Sequence, residues 1–207
     1  FHVLAVHTHG PGLIHTIAAK PVKSLEDMNG LKLRGTSKVV NQMLEAMGAA
    51  PVGMPVTAVP ESLSKSVIDG TVVPWEVTPA IKIAELAPNH TAFSGKNGLY
   101  TGTFLFAMNK DSYDALPDDL KKVIDANSGK ALAQQFGVAM DEGDVRGKDI
   151  ADKAGNTTFT LDETETARWK AAGEAVTKAW IADMDDKGLD GTTLHKDAVA
   201  LIEQYSK

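Results

Sequence analysis

The run Gly30-Leu31-Lys32-Leu33-Arg34-Gly35-Thr36-Ser37 offers the most legible chemistry in this chain. Arg34 closes a short alternating apolar run. A small-residue turn follows, and then the helical pattern Val39, Val40, Met43, Leu44, Met47. That order places a guanidinium at the exit of a strand, beside the start of a helix. Ligands of open α/β sheets sit outside the carboxyl ends of the strands. Helix N-termini favour anions, and arginine holds a carboxylate through two parallel hydrogen bonds. Arg34 therefore reads as an anion clamp; the competing reading is a surface arginine at the end of an amphipathic strand.

Other residues could do chemistry. His7-Thr8-His9 with His15 forms an H-x-H plus a third histidine. Residues i and i+2 of a strand share a face, so two imidazoles could share a zinc ion. No carboxylate lies close by in sequence to complete or tune such a set, so loop histidines are the better reading. His15 is a candidate hydrogen-bond donor to an anion. Trp75 and Glu76 follow Pro74 at a helix start: Trp75 reads as a core residue or an aromatic wall, Glu76 as a first-turn acid or a ligand contact. Tyr100 opens an aromatic-rich run and could aim its hydroxyl into a cleft. Trp169 and Trp180 are eleven apart, share one helix face and read as packing. Gly10-Pro11-Gly12 lacks the lysine and hydroxyl of a phosphate loop. Ser62 and Ser64 have no nucleophile-elbow context. Asp118-Asp119 and the Asp183, Asp185, Asp186 group read as solvated faces.

Composition narrows the classes. The 207 residues leave room for one large domain or two small lobes. A 43% hydrophobic, 23% charged content is that of a globular chain. The formal net charge of −6 argues against a nucleic-acid partner, which calls for a basic face. No apolar run has the length to cross a membrane. The absence of cysteine removes disulfides, thiolate metal sites and thiol nucleophiles, and suits a periplasm. Phe1-His2-Val3-Leu4-Ala5-Val6 begins inside a strand-like run, so the chain is expected to be the C-terminal piece of something longer.

The elements that must position these residues read as follows. Val3 to Val6 is a strand, His7 to Gly12 a loop, and Leu13 to Ala19 a β or irregular run. Ser24-Leu25-Glu26-Asp27 resembles a capping box. Leu31 to Arg34 is a strand and Ser37 to Met47 a helix, with Gly48 at the left-handed cap. Pro51 to Pro55 is a short strand. Ala58 to Val67 is a helix with Leu63 and Val67 inward. Thr71 to Val73 is a strand, and a helix runs from Pro74-Trp75-Glu76 to about Ala87. This is the βαβ rhythm of a parallel sheet. His90 to Phe93 is a strand, and Tyr100 to Met108 a strand buried on both faces. Asp111 to Leu116 is a short helix. A long helix runs from Pro117-Asp118 to about Asp152. Asn156 to Thr160 is a strand. Asp162 caps a helix ending near Gly188, and Thr193 to Tyr205 is the last helix.

Several pieces, in order and spacing, resemble the periplasmic solute-binding proteins of tripartite ATP-independent (TRAP) transporters, the DctP family. They are Lys20-Pro21-Val22-Lys23-Ser24 with Glu26-Asp27, Gly30 to Arg34, Gly48-Ala49 with Pro51-Val52 and Met54-Pro55, Val67-Ile68-Asp69-Gly70, Pro74, and Met108-Asn109-Lys110 with Tyr113, Leu116 and Pro117. The resemblance covers the latter two-thirds of a typical member and implies that most of one lobe is missing. It implies an α/β, periplasmic-binding-protein-like two-lobed cleft with hinge strands and long helices. Residues 1–106 would form the second ligand-binding lobe with hinge strands. Residues 107–207 would supply the remainder of the first lobe and the hinge and C-terminal helices.

The implied function is non-catalytic capture of a small organic acid in the periplasm and delivery to membrane permease subunits, as a monomer that does not itself span the membrane and needs no cofactor. The family's selectivity arginine falls on Arg34. The sialic-acid branch has a second arginine earlier in the chain, where this sequence reads Leu13-Ile14-His15, and an asparagine before the proline, where this sequence has Val73. The branch that binds keto acids through a metal places an acid directly before a tryptophan; here the order is Trp75-Glu76, and no metal is expected. These departures point to a small monocarboxylate with an apolar or aromatic body, such as a 2-hydroxy or 2-keto aromatic acid. Arg34, Trp75, Tyr100, His15 and Glu76 are the expected ligand contacts. The alternatives are a C4-dicarboxylate binder and a metal-dependent enzyme using His7, His9 and His15.

Overall fold

The computed structural model describes residues 1–95 and 98–205. Its centre is a six-stranded mixed sheet. In chain order the contributors are β2 (Leu13–Thr16), β3 (Lys32–Gly35), β4 (Ala50–Gly53), β5 (Gly70–Val73), β6 (Asn89–Phe93) and β8 (Thr157–Leu161). Across the sheet the order is β4-β3-β5-β2-β6-β8. The strand–helix alternation suggested a parallel sheet. Only β3–β4, β3–β5 and β6–β8 pair in parallel; β2 is inserted antiparallel to both β5 and β6. The rhythm reports which elements exist, whereas strand insertion is decided by long-range pairing.

The register sets one cross-strand row of consequence. Val52 pairs with Arg34, Arg34 with Thr71, Thr71 with His15, His15 with His90, and His90 with Thr158. Paired residues share a face and alternate ones oppose them. The opposite face carries Leu33, Val72, Ile14 and Phe93, which form one core with Val40, Leu44 and Trp169. Those last three come from α1 (Lys38–Ala46) and α7 (Glu163–Asp186). The row's own face packs on α2 (Val59–Ser64), α3 (Ile83–Leu86), a 3-10 turn at Trp75–Val77, and α6 (Lys130–Lys153).

Local signals explain most element ends. Ser37 accepts a hydrogen bond from the Val40 amide and starts α1, and Gly48, at φ 90°, turns the chain after it. The capping box at Ser24 and Asp27 opens a 3-10 turn at Leu25–Met28. Asp162 accepts from the Glu165 amide and opens α7. Before β3, the Asp69 carboxylate takes the Lys32 amide at 2.9 Å and the Lys20 ammonium at 2.9 Å, which ties the strand start to the β5 entry.

Four expectations need correction. The helix expected from Trp75 to Ala87 is a 3-10 turn followed by the short α3, because Pro79 cannot donate to a continuing ladder and Lys82 sits left-handed at φ 54°. The helix Ala58–Val67 is shorter, ending at Ser64; Ser66 turns at φ 55°, leaving Leu63 buried but Val67 exposed. The long helix from Pro117 divides into α5 (Asp118–Ala126) and α6, where Gly129 adopts φ 73° and gives its amide to the Leu4 carbonyl at 2.6 Å. Tyr100 to Met108 is not buried on both faces. Its strand, β7 (Thr103–Met108), pairs antiparallel with β1 (His2–Thr8) and, among the described residues, with no other strand, and Phe104, Leu105 and Phe106 are each about half exposed. The remaining helices are α4 (Lys110–Asp114) and α8 (Gly191–Tyr205). Trp169 is buried edge-on against Phe93; Trp180 is only partly buried.

The 24-residue α6 extends about 36 Å at the usual helical rise. It touches β1 near its start and the Trp75–Val77 turn further along. The second contact is close because two glycines one turn apart face it. A methyl on Gly147 would lie 2.0 Å from the Trp75 carbonyl oxygen, and one on Gly143 would lie 2.8 Å from the Glu76 Cβ. Gly137 on the same helix meets nothing within 4 Å. Gly147→Ala should therefore lower stability by about 1–3 kcal/mol through overpacking, while Gly137→Ala should raise it by about 0.5–1 kcal/mol. Urea denaturation of the two variants, expected to move in opposite directions, checks this.

Candidate functional site

Arg34 is the penultimate residue of β3 and is 7% exposed. Its Nε donates to the Met54 carbonyl at 3.1 Å. Among the described residues no carboxylate stands within ion-pair distance of it and its Nη groups have no protein acceptor. A charge removed from water ordinarily has a partner, since burying one unpaired is costly. Burial lowers the guanidinium from its ordinary value, against the influence of the neighbouring Tyr100.

Tyr100 stands in the loop before β7. Its hydroxyl donates to the Val72 carbonyl at 3.1 Å. Burial pushes its phenol up to about 12, with Thr36 and Arg34 pulling the other way. Gly12 makes room for the ring, since a Cβ there would come within 2.2 Å of Tyr100 Cε1. The Gly12 amide also bonds the Tyr100 carbonyl at 2.8 Å. His9 packs edge-on against the ring at 5.3 Å and accepts the Gly102 amide at Nε2, 3.0 Å away. Two acids complete this region. The Asp144 carboxylate of α6 accepts the Glu76 amide at 2.7 Å. Burial raises both carboxyls, Asp144 raises Glu76 further, and His9 opposes the shift in each. Arg34 and Glu76 both act on the Tyr100 phenol, which places these three in one region. His9, read in the sequence only as a loop histidine or metal ligand, joins them, as does Asp144, which the sequence does not mark: it is one acid among many on a long helix, and only the α6 crossing selects it.

Trp75 packs with His15. Trp75 is 8% exposed, with its indole edge-on to His15 at 5.3 Å and to His90 at 4.7 Å. The reading of His15 as a donor to an anion is corrected. His15 is fully buried, its Nδ1 is 2.8 Å from His90 Nδ1, and its Nε2 is 3.1 Å from the Val73 carbonyl. Neither ring nitrogen faces a cleft. His7 lies elsewhere, against Phe104 and Phe136. His7, His9 and His15 therefore do not converge, and among the described residues no three histidine or acidic side chains are placed to hold a metal ion. A cavity of about 520 Å³ opens between α1, α7 and α8, lined by Met43, Trp169, Trp180 and His195. It reaches Tyr100 from the side of Ser37 and does not include Arg34.

A buried, unpaired guanidinium at the carboxyl end of a strand, bordered by a phenol, is an arrangement that can hold an organic anion. The family described as bacterial extracellular solute-binding protein, family 7 (DctP) matches residues 1–183, and the chain belongs to it. It is similar to a TRAP solute-binding protein from an unidentified marine microbe, specific for aromatic acid ligands and crystallised with 3-hydroxybenzoate. Identity is 51% and the TM-score 0.96, over 100% of this chain and 64% of that one. It is also similar to a TRAP solute-binding protein from Rhodoferax ferrireducens with copurified benzoate, at 43% identity and TM-score 0.94, over 99% and 64% of the two chains. It is 30% identical to the C4-dicarboxylate-binding periplasmic protein DctP of Rhodobacter capsulatus over 74% of this chain and 45% of that protein. The chain thus spans about half the length of its curated relatives and just under two thirds of these solved chains. Among the described residues no helix is long and apolar enough to cross a membrane.

Burial gives the site a pH signature. It lowers the imidazoles of both His15 and His90 from their ordinary value. A histidine whose pKa is lower folded than unfolded leaves the unfolded chain binding more protons. The stability it contributes is complete above the unfolded value of about 6.5 and is lost as pH falls from there through the lowered folded value. Stability should decline below pH 6.5 by about 1.4 kcal/mol per pH unit for each proton so withheld. Chemical denaturation at intervals from pH 7.5 to 4.5 measures the slope; a flat profile would contradict the burial of these rings.

Proposed function

We propose that this chain is the greater part of a periplasmic solute-binding protein that captures a small aromatic monocarboxylate and passes it to the membrane permease of a TRAP-type transporter. The observation that carries this reading is the buried Arg34 guanidinium with no carboxylate partner among the described residues. Its two Nη groups would take the ligand carboxylate in parallel. Tyr100 would border the ligand body, and Trp75, seated beneath on the histidine pair, would stiffen the floor. Glu76 and Asp144 would place negative charge at the far side. That arrangement favours one carboxylate over two, since like charges in a shared site repel. The 3-hydroxybenzoate and benzoate held by two similar proteins support an aromatic body. Residues 1–106 would act as the second ligand-binding lobe with hinge strands, and residues 107–207 as the rest of the first lobe with hinge and C-terminal helices. No step of covalent chemistry enters this account: affinity comes from burying an ion pair as the cleft closes. The likeness to a C4-dicarboxylate-binding protein favours dicarboxylates as the second reading.

The test is a thermal-shift and calorimetry series on the whole protein with benzoate, 3-hydroxybenzoate, mandelate, malate and succinate. Ligand at a hundred times its dissociation constant should add about 2.7 kcal/mol of stability. Arg34→Ala should weaken binding by about two to three orders of magnitude, the cost of leaving a buried charge unpaired. Arg34→Lys should fall between, keeping the charge but losing the two-point grip. Binding confined to malate and succinate would establish the second reading. Full affinity in Arg34→Ala would remove the clamp from the account.

A further inference from the structure

His15 and His90 form a chain with too few hydrogens. His15 Nδ1 lies 2.8 Å from His90 Nδ1. At one end His15 Nε2 is 3.1 Å from the Val73 carbonyl, and at the other His90 Nε2 is 3.0 Å from Asn156 Oδ1. Asn156 is oriented by its own Nδ2, which donates to the Ala84 carbonyl at 2.9 Å. Both ends of the chain are therefore acceptors. Three contacts need three hydrogens, and two neutral imidazoles carry one each.

Every neutral arrangement leaves two lone pairs facing each other. With hydrogens on His15 Nε2 and His90 Nδ1, His90 Nε2 meets Asn156 Oδ1 bare. With hydrogens on both Nε2 atoms, the two Nδ1 atoms meet bare at 2.8 Å. With hydrogens on His15 Nδ1 and His90 Nε2, His15 Nε2 meets the Val73 carbonyl bare. Turning the Asn156 amide over moves the conflict to the Ala84 carbonyl. One additional proton satisfies all three contacts at once. A second cannot enter, because two hydrogens do not fit between the Nδ1 atoms at that distance.

The surroundings oppose the charge without forbidding it. Both rings are fully buried beneath Trp75. Asp152 and Lys148 of α6 act on His90 with opposite sign. Glu76 belongs to the Asp144 and His9 side of the Trp75–Val77 turn. Arg34 stands in the same cross-strand row, two strands from His15.

We propose that His15 and His90 act as one buried base that takes up a single proton from solvent, shared between their Nδ1 atoms, completing the chain from Val73 to Asn156 and fixing the floor under Trp75. A consequence follows that rests on the ligand reading above. Two strand spacings put the pair about 10 Å from the Arg34 position, so the shared proton adds positive potential where the anion sits. Affinity for benzoate should then rise about threefold to tenfold on acidification through the transition.

The test is long-range proton–nitrogen correlation spectroscopy of histidine rings in the ¹⁵N-labelled whole protein from pH 8 to 4.5, with His15→Gln and His90→Gln identifying the signals. The expected result is two ring N–H groups on the pair at high pH and three at low pH. Both rings should shift together with one apparent pKa, and the joint transition should vanish in His90→Gln. Rings that titrate separately, or a pair still carrying two hydrogens when acid unfolds the protein, would overturn the proposal. If a variant fails to fold, the unmodified protein's titration decides alone. Benzoate calorimetry at the two ends of the titration reads the consequence. A joint transition with no benzoate binding at any pH upholds the pair and counts against the ligand reading instead.

Discussion

A guanidinium held out of water with no carboxylate partner among the described residues is the constraint on which this structure turns. Such a group raises the energy of the empty protein, so the elements around it must be held together by something else. The Asp69 clamp on Lys20 and the Lys32 amide fixes the start of β3. The Met54 carbonyl fixes the Nε side of Arg34. The apolar core of the opposite sheet face, with Leu33 beside Arg34 in sequence, anchors the strand from behind. What is left open is the pair of nitrogens best shaped for a carboxylate.

The second organising feature is the sheet register. One row carries Arg34, Thr71, His15 and His90 side by side, although they come from four strands and span 76 positions of sequence, from His15 to His90. The polar atoms of that row are satisfied unevenly. Thr71 donates weakly to the Arg34 carbonyl at 3.4 Å, the histidines bond each other, and the Thr158 hydroxyl is buried without a partner. Aligning these groups costs stability that an apolar row would not, and that pattern is common where a binding site is held ready.

How much of this was legible in the sequence depends on distance along the chain. Arg34 stood out because its signals are local: a strand run, a small turn, a serine cap and an apolar helix stripe within twenty residues. The Ser24 capping box and the Asp162 cap were legible for the same reason. The partnership of His15 with His90 was not, because it depends on β2 entering antiparallel between β5 and β6. Asp144 was hidden likewise: nothing in the α6 sequence marks it apart from its neighbours until Gly143 and Gly147 bring the helix against Trp75 and Glu76. The apolar density of Phe104-Leu105-Phe106 predicted burial, and here the inference failed outright, because hydrophobicity records what a segment tends to bury and names no partner for it.

That same ribbon of β1 and β7 has a practical side. It is a two-stranded strip with apolar residues on view, and its β1 border takes the Gly129 amide at the Leu4 carbonyl. Strips of this kind recruit strands from neighbouring molecules. For these residues on their own, concentration is thus a variable beside temperature in how long a purified sample stays monodisperse.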